Sequence, residues 1–141
     1  MSIIDTGDLV LRVQRLTPTA RLPERKTRGA AGYDLCADIT DAGSFTLMAG
    51  LAPLPVRTGL AVAIPSGCYG RIAPRSSSGL KGLHVLGGVI DQDYRGEVLV
   101  LLQLVGMPGT MLEIKHGDRI AQLILERCEL PDVHEVADLS A

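Results

Sequence analysis

The chain has 141 residues, a net charge of −2, 46% apolar residues and only 3% aromatics. That length suits one domain with one core, burying about two-thirds of the unfolded surface without a disulfide or metal staple. The slightly acidic balance argues against a nucleic-acid binder, which needs a basic face to displace phosphate counterions, but it leaves room for a small polyanionic substrate.

The N-terminal stretch MSIIDTGDLVLRVQRL carries acidic residues and lacks the apolar block of a signal peptide. From there, short apolar runs follow one another at intervals near ten residues: DLVLRVQRL, SFTLMAG, APLPVRTGLAVAIP, CYGRIAP, GEVLVLLQLV and TMLEIKHGD. Sixteen glycines and eight prolines punctuate them and break any long helical period. Many short strands with frequent turns predict an all-β antiparallel sandwich or barrel. The core falls to Leu, Val, Ile and Ala, which leaves Phe45, Tyr33, Tyr69 and Tyr94 free for special roles. One stretch, Asp118 to Cys128, reads equally as a helix, with Ile120, Leu123 and Ile124 on one face, or as a strand.

Cys36, Cys68 and Cys128 are odd in number and widely spaced. They point to free thiols in a reducing compartment, and no stretch reaches transmembrane length, so a soluble intracellular protein is expected. His84, His116 and His134 have no metal-ligand spacing.

Two segments read as chemically rich loops. In Ala73–Gly82, APRSSSGLKG, an arginine offers a planar fork of donors to phosphate, serines add hydroxyls, and glycines permit close backbone approach. It is not a Walker loop. Gly87–Gly96, GGVIDQDYRG, reads as a hairpin with Asp91 as a candidate general base and Tyr94 as a flat surface for a sugar or base. Further along, Gln122 is a candidate phosphate donor, while Arg119 with Asp118 reads as well as a structural ion pair. Asp34, between Tyr33 and Leu35, reads as a turn or buried acceptor as readily as a functional group. Taken singly, each segment is as well explained by an ordinary solvated loop.

In order, however, AAGYDLCA (30–37), GRIAPRSSSG (70–79), LGGVIDQDYRGE (86–97) and GDRIAQLI (117–124) resemble the first four of five motifs of the trimeric dUTPase family. The resemblance implies a jelly-roll-like, β-clip subunit in a homotrimer with shared active sites. It implies hydrolysis of dUTP to dUMP and pyrophosphate with Mg2+, with no nucleic-acid or membrane partner. Arg75, Ser76 and Ser77 would hold the phosphate chain with Gln122, and Asp34 would reach the magnesium through water. Gly88 and Val89 would receive uracil through the backbone. Tyr94 would pack on the deoxyribose, and Asp91 would bind the 3′-hydroxyl and activate the attacking water. The loop PRSSSGLKG departs from the commoner PRSGLA form, leaving open which of Ser77, Ser78 and Lys81 takes part. The family's fifth motif is a glycine-rich C-terminal arm with an arginine and an aromatic, expected after a stretch like HEVADLS. No Phe or Tyr follows Tyr94, so residues 1–141 are expected to be a single domain without that arm, most simply through trimming. The alternatives weighed are a dUTPase-like binding or signalling module with impaired catalysis, and a dCTP deaminase of the same fold.

Overall fold

The computed structural model describes residues 9–140. The first eight positions of the N-terminal stretch read above lie outside it. Ten strands and one short helix follow in chain order: β1 (Arg12–Arg15), β2 (Gly32–Cys36), β3 (Ser44–Met48), β4 (Leu54–Ala63), β5 (Cys68–Ala73), α1 (Ser76–Leu80), β6 (Leu83–Leu86), β7 (Val89–Ile90), β8 (Glu97–Leu104), β9 (Met111–Lys115) and β10 (Arg119–Arg127). All strand pairs are antiparallel. They form two four-stranded sheets, ordered β1-β4-β8-β6 and β2-β10-β5-β7, and a β3-β9 ribbon. The chain is all-β, as its turn-rich run pattern predicts, and jelly-roll-like, as the family resemblance implies.

Strand formation follows from side-chain alternation. In β8, Val98, Val100, Leu102 and Leu104 point inward at 0 to 2% exposure while their neighbours point out. They meet Val56, Leu60, Leu35, Ile120 and Leu123 in one aliphatic cluster, with Tyr33 and Phe45 packed only against its margin. Fully burying a Leu or Val contributes about 1.5–3 kcal/mol, so the aliphatic set is sufficient without aromatics inside.

The stretch from Asp118 resolves as a strand, and the source of its ambiguity is visible. The register slips between Arg119 and Ala121, so consecutive residues Ile120 and Ala121 are both buried, followed by Leu123. A bulge thus mimics the spacing of a helical face.

Two expectations for the loops are corrected. Ala73–Gly82 is not wholly irregular: Ser76–Leu80 close a helical turn, entered from an extended Arg75 (ψ 151°) and ended at Lys81. Gly82 stops it with φ +86°, where a Cβ would collide with the carbonyl oxygen of Val105. Gly87–Gly96 is not a paired hairpin. Its only strand, β7, pairs with β5 (Gly70↔Ile90, Arg71↔Val89), whereas β6 and β8 on either side pair with each other in the opposite sheet (Leu86↔Leu101). The segment therefore bridges the two sheets.

After Arg127 the described chain forms no strand or helix, and Leu130, Val133 and Leu139 are exposed.

Candidate active site

The central strand of the second sheet sets the first half of the site. Gln122 on β10 lies opposite Asp34 on β2 and opposite Ala73 on β5, so one register brings three motifs into a row. Two residues beyond Ala73, Arg75 folds back over the row. Its Nε donates to Asp34 Oδ1 at 3.2 Å and an Nη donates to the Arg119 carbonyl at 3.3 Å. The second Asp34 oxygen stands 3.8 Å from Arg119 Nε. Gln122 Nε2 donates to the Pro74 carbonyl at 3.0 Å.

A groove of about 420 Å³ opens beside this row, its lining including Arg75, Ser77, Lys81 and Arg119. Ser76 and Ser77 are exposed, and Ser78 is buried. Sequence reasoning left Arg119 as a possible partner of Asp118. Instead, Asp118 accepts the Lys115 backbone N–H at 2.8 Å and closes the β9–β10 turn, which turns Arg119 toward Asp34. The pairing of Asp118 with Lys115, three residues apart, could have been read as a turn signature. Burial pushes the Cys36 thiol, two residues beyond Asp34 on β2, above its ordinary pKa against the opposing fields of Arg21, Arg119 and Arg75.

The second half is built on the bridging segment. Gly88 has φ +94°, and a Cβ there would stand 2.6 Å from the Ile72 carbonyl oxygen. The Gly88 carbonyl accepts the Ile72 N–H at 2.7 Å. Gly88, Val89, Asp91 and Tyr94 line a mostly apolar groove of about 300 Å³ together with Ile72, Leu101 and others. The Tyr94 N–H donates to the Asp91 carbonyl at 3.1 Å, and its hydroxyl donates to the Glu97 carbonyl at 2.7 Å. Among the described residues the Asp91 carboxylate has no ion-pair partner, and it is exposed.

The structure thus gathers Asp34, Arg75, Ser77 and Gln122 on one side, with Ser76 following Arg75, and Gly88, Val89, Asp91 and Tyr94 on the other. Within one chain the two grooves share no lining residue. Among the described residues no three His, Cys, Asp or Glu side chains converge as a metal cage, and no helix is long and apolar enough to cross a membrane.

On its all-β frame the chain thus presents a polar groove, where Arg75, Lys81 and Arg119 outnumber Glu113 and Asp118, and a separate, mostly apolar one. Comparisons with known proteins give this frame a family. The dUTPase family model matches residues 19–141, and the chain belongs to the dUTPase family. It is 47% identical over 133 residues to the deoxyuridine 5'-triphosphate nucleotidohydrolase of Rattus norvegicus, covering 94% of this chain and 62% of that one. It is 41% identical over 131 residues to the cowpox virus protein of that name, covering 93% and 84%. Among solved structures it resembles a dUTPase variant from phage phi11 of S. aureus, described with a structural Mg(II) ion (TM-score 0.81, 25% identity, covering 94% of this chain and 99% of that one). It also resembles a variant of the phage 80alpha dUTPase (TM-score 0.82, 25% identity, covering 94% and 92%).

Proposed function

We propose that this chain hydrolyses dUTP to dUMP and pyrophosphate by attack of water on the α-phosphorus. The observation that carries the reading is the Asp34–Gln122–Ala73 row with Arg75 clamped above it, in a chain of the dUTPase family.

Arg75 has two of its donor positions held by Asp34 and the Arg119 carbonyl, so its remaining N–H groups are pre-aimed for phosphate oxygens. Ser76, Ser77 and one free N–H of Gln122 add neutral donors, and Arg119 and Lys81 add positive field. Such pre-organised groups stabilise charge building on the departing pyrophosphate. Asp91, exposed at the end of the apolar groove, binds the 3′-hydroxyl and takes the proton of the attacking water, a role worth ~10²–10⁴-fold.

Uracil lies in the groove at Gly88 and Val89, held by backbone groups, and Tyr94 packs on the deoxyribose. An apolar pocket separates ligands differing by one methyl by only about 1–3 kcal/mol. Rejection of thymine therefore relies on a clash of its 5-methyl with this fixed backbone.

Asp34 is the residue that would hold magnesium, through water. Its side chain is 15% exposed and its carboxylate already faces two arginines, which compete with direct coordination, so the ion would be held mostly by phosphate and water oxygens. When bound, the ion supplies neutralisation of phosphate charge.

Because the two grooves are separate within one chain, we place them together in a homotrimer, Asp91 of one subunit facing the Arg75 cradle of another. The exposed apolar residues Val89, Leu130 and Leu139 fit burial between subunits. The single-domain reading of residues 1–141 and a reducing, intracellular setting, supported by three free cysteines, belong to the same proposal. The test is pyrophosphate release from dUTP and Mg2+ by the purified protein. Absence of release overturns the reading.

A further inference from the structure

Gly32 opens β2 with ordinary extended backbone, outside the positive-φ glycines of the chain. Glycine in a strand costs backbone entropy and offers no side chain to pack, so its place here calls for a steric reason. The reason is Gln122. A Cβ on Gly32 would overlap Gln122 Oε1 and stand 2.7 Å from its Cδ and 2.9 Å from its Cβ, and these are the three nearest heavy atoms it would meet. The Gln122 side chain therefore lies across bare backbone at Gly32 while its Nε2 reaches the Pro74 carbonyl at 3.0 Å, next to Arg75.

We propose that Gly32 is a positioning residue for Gln122, its missing side chain being the space in which the glutamine amide is held beside the Arg75 cradle. The inference rests on the reading of Gln122 as a phosphate donor in dUTP hydrolysis. One Nε2 hydrogen is spent on Pro74, which fixes the amide plane and leaves the other for an incoming acceptor. An alanine at position 32 forces the amide out of that plane without straining its own backbone.

The experiment compares the parent protein with Gly32→Ala, Gln122→Ala and the double variant, by thermal unfolding and by steady-state hydrolysis of dUTP. Gly32→Ala is expected to lower the unfolding midpoint and to lower kcat/KM about 10-fold, the scale of one lost hydrogen bond to a charged group. In the Gln122→Ala background the amide is gone and only the Cβ contact at 2.9 Å remains, so Gly32→Ala adds nothing to the loss in kcat/KM and lowers the midpoint by less than in the parent. Equal effects of Gly32→Ala in both backgrounds would overturn the proposal, as would no effect in either. If the parent itself failed to hydrolyse dUTP, the functional reading would fall, and the paired unfolding midpoints would still decide the Gly32–Gln122 link.

Discussion

Arg75 and Asp34, 41 residues apart, form a half-buried pair in which Nε meets Oδ1 at 3.2 Å, and this pair sets which guanidinium donors stay free. Asp34→Ala releases Arg75 and leaves its charge facing Arg119 without the carboxylate between them. The expected result is a loss of ~10²-fold in kcat/KM for dUTP, the scale of a small misplacement of a positioning group. Steady-state kinetics against magnesium concentration checks it, and wild-type kcat/KM at every concentration would remove Asp34 from the site.

Asp91 stands free of ion pairs among the described residues, so its substitution should spare the fold. Asp91→Asn is expected to keep the unfolding midpoint and nucleotide affinity while lowering turnover at least ~10²-fold. Calorimetric titration with a non-hydrolysable dUTP analogue, beside a turnover assay, separates the two. Retained turnover would mean that another group serves as base.

Tyr94 is tied to the start of β8. Its hydroxyl donates to the Glu97 carbonyl, and the Glu97 carboxylate receives Arg57 Nε at 3.2 Å and the Gly59 N–H at 2.9 Å. Tyr94→Phe removes the hydroxyl link, a bond contributing about 0.5–1.5 kcal/mol. The expected outcome is a ring that lies less firmly under the sugar and a smaller preference for dUTP over UTP. The ratio of kcat/KM values for the two substrates measures it; an unchanged ratio assigns sugar selection elsewhere.

Asp38 predicts how stability responds to acid. Burial alone would raise its pKa, but hydroxyl bonds from Thr17 and Thr19, both at 2.6 Å, with His116 and Arg57 nearby, hold it below the usual carboxylate value. A folded-state pKa depressed below the unfolded value of about 3.9 gives stability that is present above that pH and lost as the pH falls through the folded value. Asp38→Ala is expected to cost about 1–3 kcal/mol near neutral pH, because two hydroxyls lose their acceptor. Its unfolding free energy should also fall less steeply below pH 4 than that of the parent. Urea titrations from pH 3 to 7 supply both curves, and parallel curves would assign the acid response to other carboxylates.

Much of the fold was legible because burial writes itself as alternation: β8 shows it residue by residue. Where a bulge intervened, as at Arg119 to Ala121, the pattern imitated a helix and only pairing with β2 and β5 resolved it. The helical turn Ser76–Leu80 was hidden because serine and glycine favour loops, and its stop depends on a distant carbonyl, that of Val105. Candidate site residues were named by motif resemblance. What sequence order could not convey was their partition into two grooves, since β7 joins one sheet while its flanking strands join the other. Nor could it show that Arg119 answers to Asp34 rather than to its neighbour Asp118.

The placement of Gln122 on a shared middle strand has a consequence for how such a protein can change. Adjacent positions on β10 serve opposite duties: Leu123 is sealed at 0% exposure, while Gln122 looks outward. A shift of one residue in that strand would exchange them, putting an amide among the leucines and an isobutyl group among the arginines. Insertions and deletions that shift this strand are thereby disfavoured relative to those in the connecting turns, and the donor role proposed for Gln122 is tied to the packing of the interior.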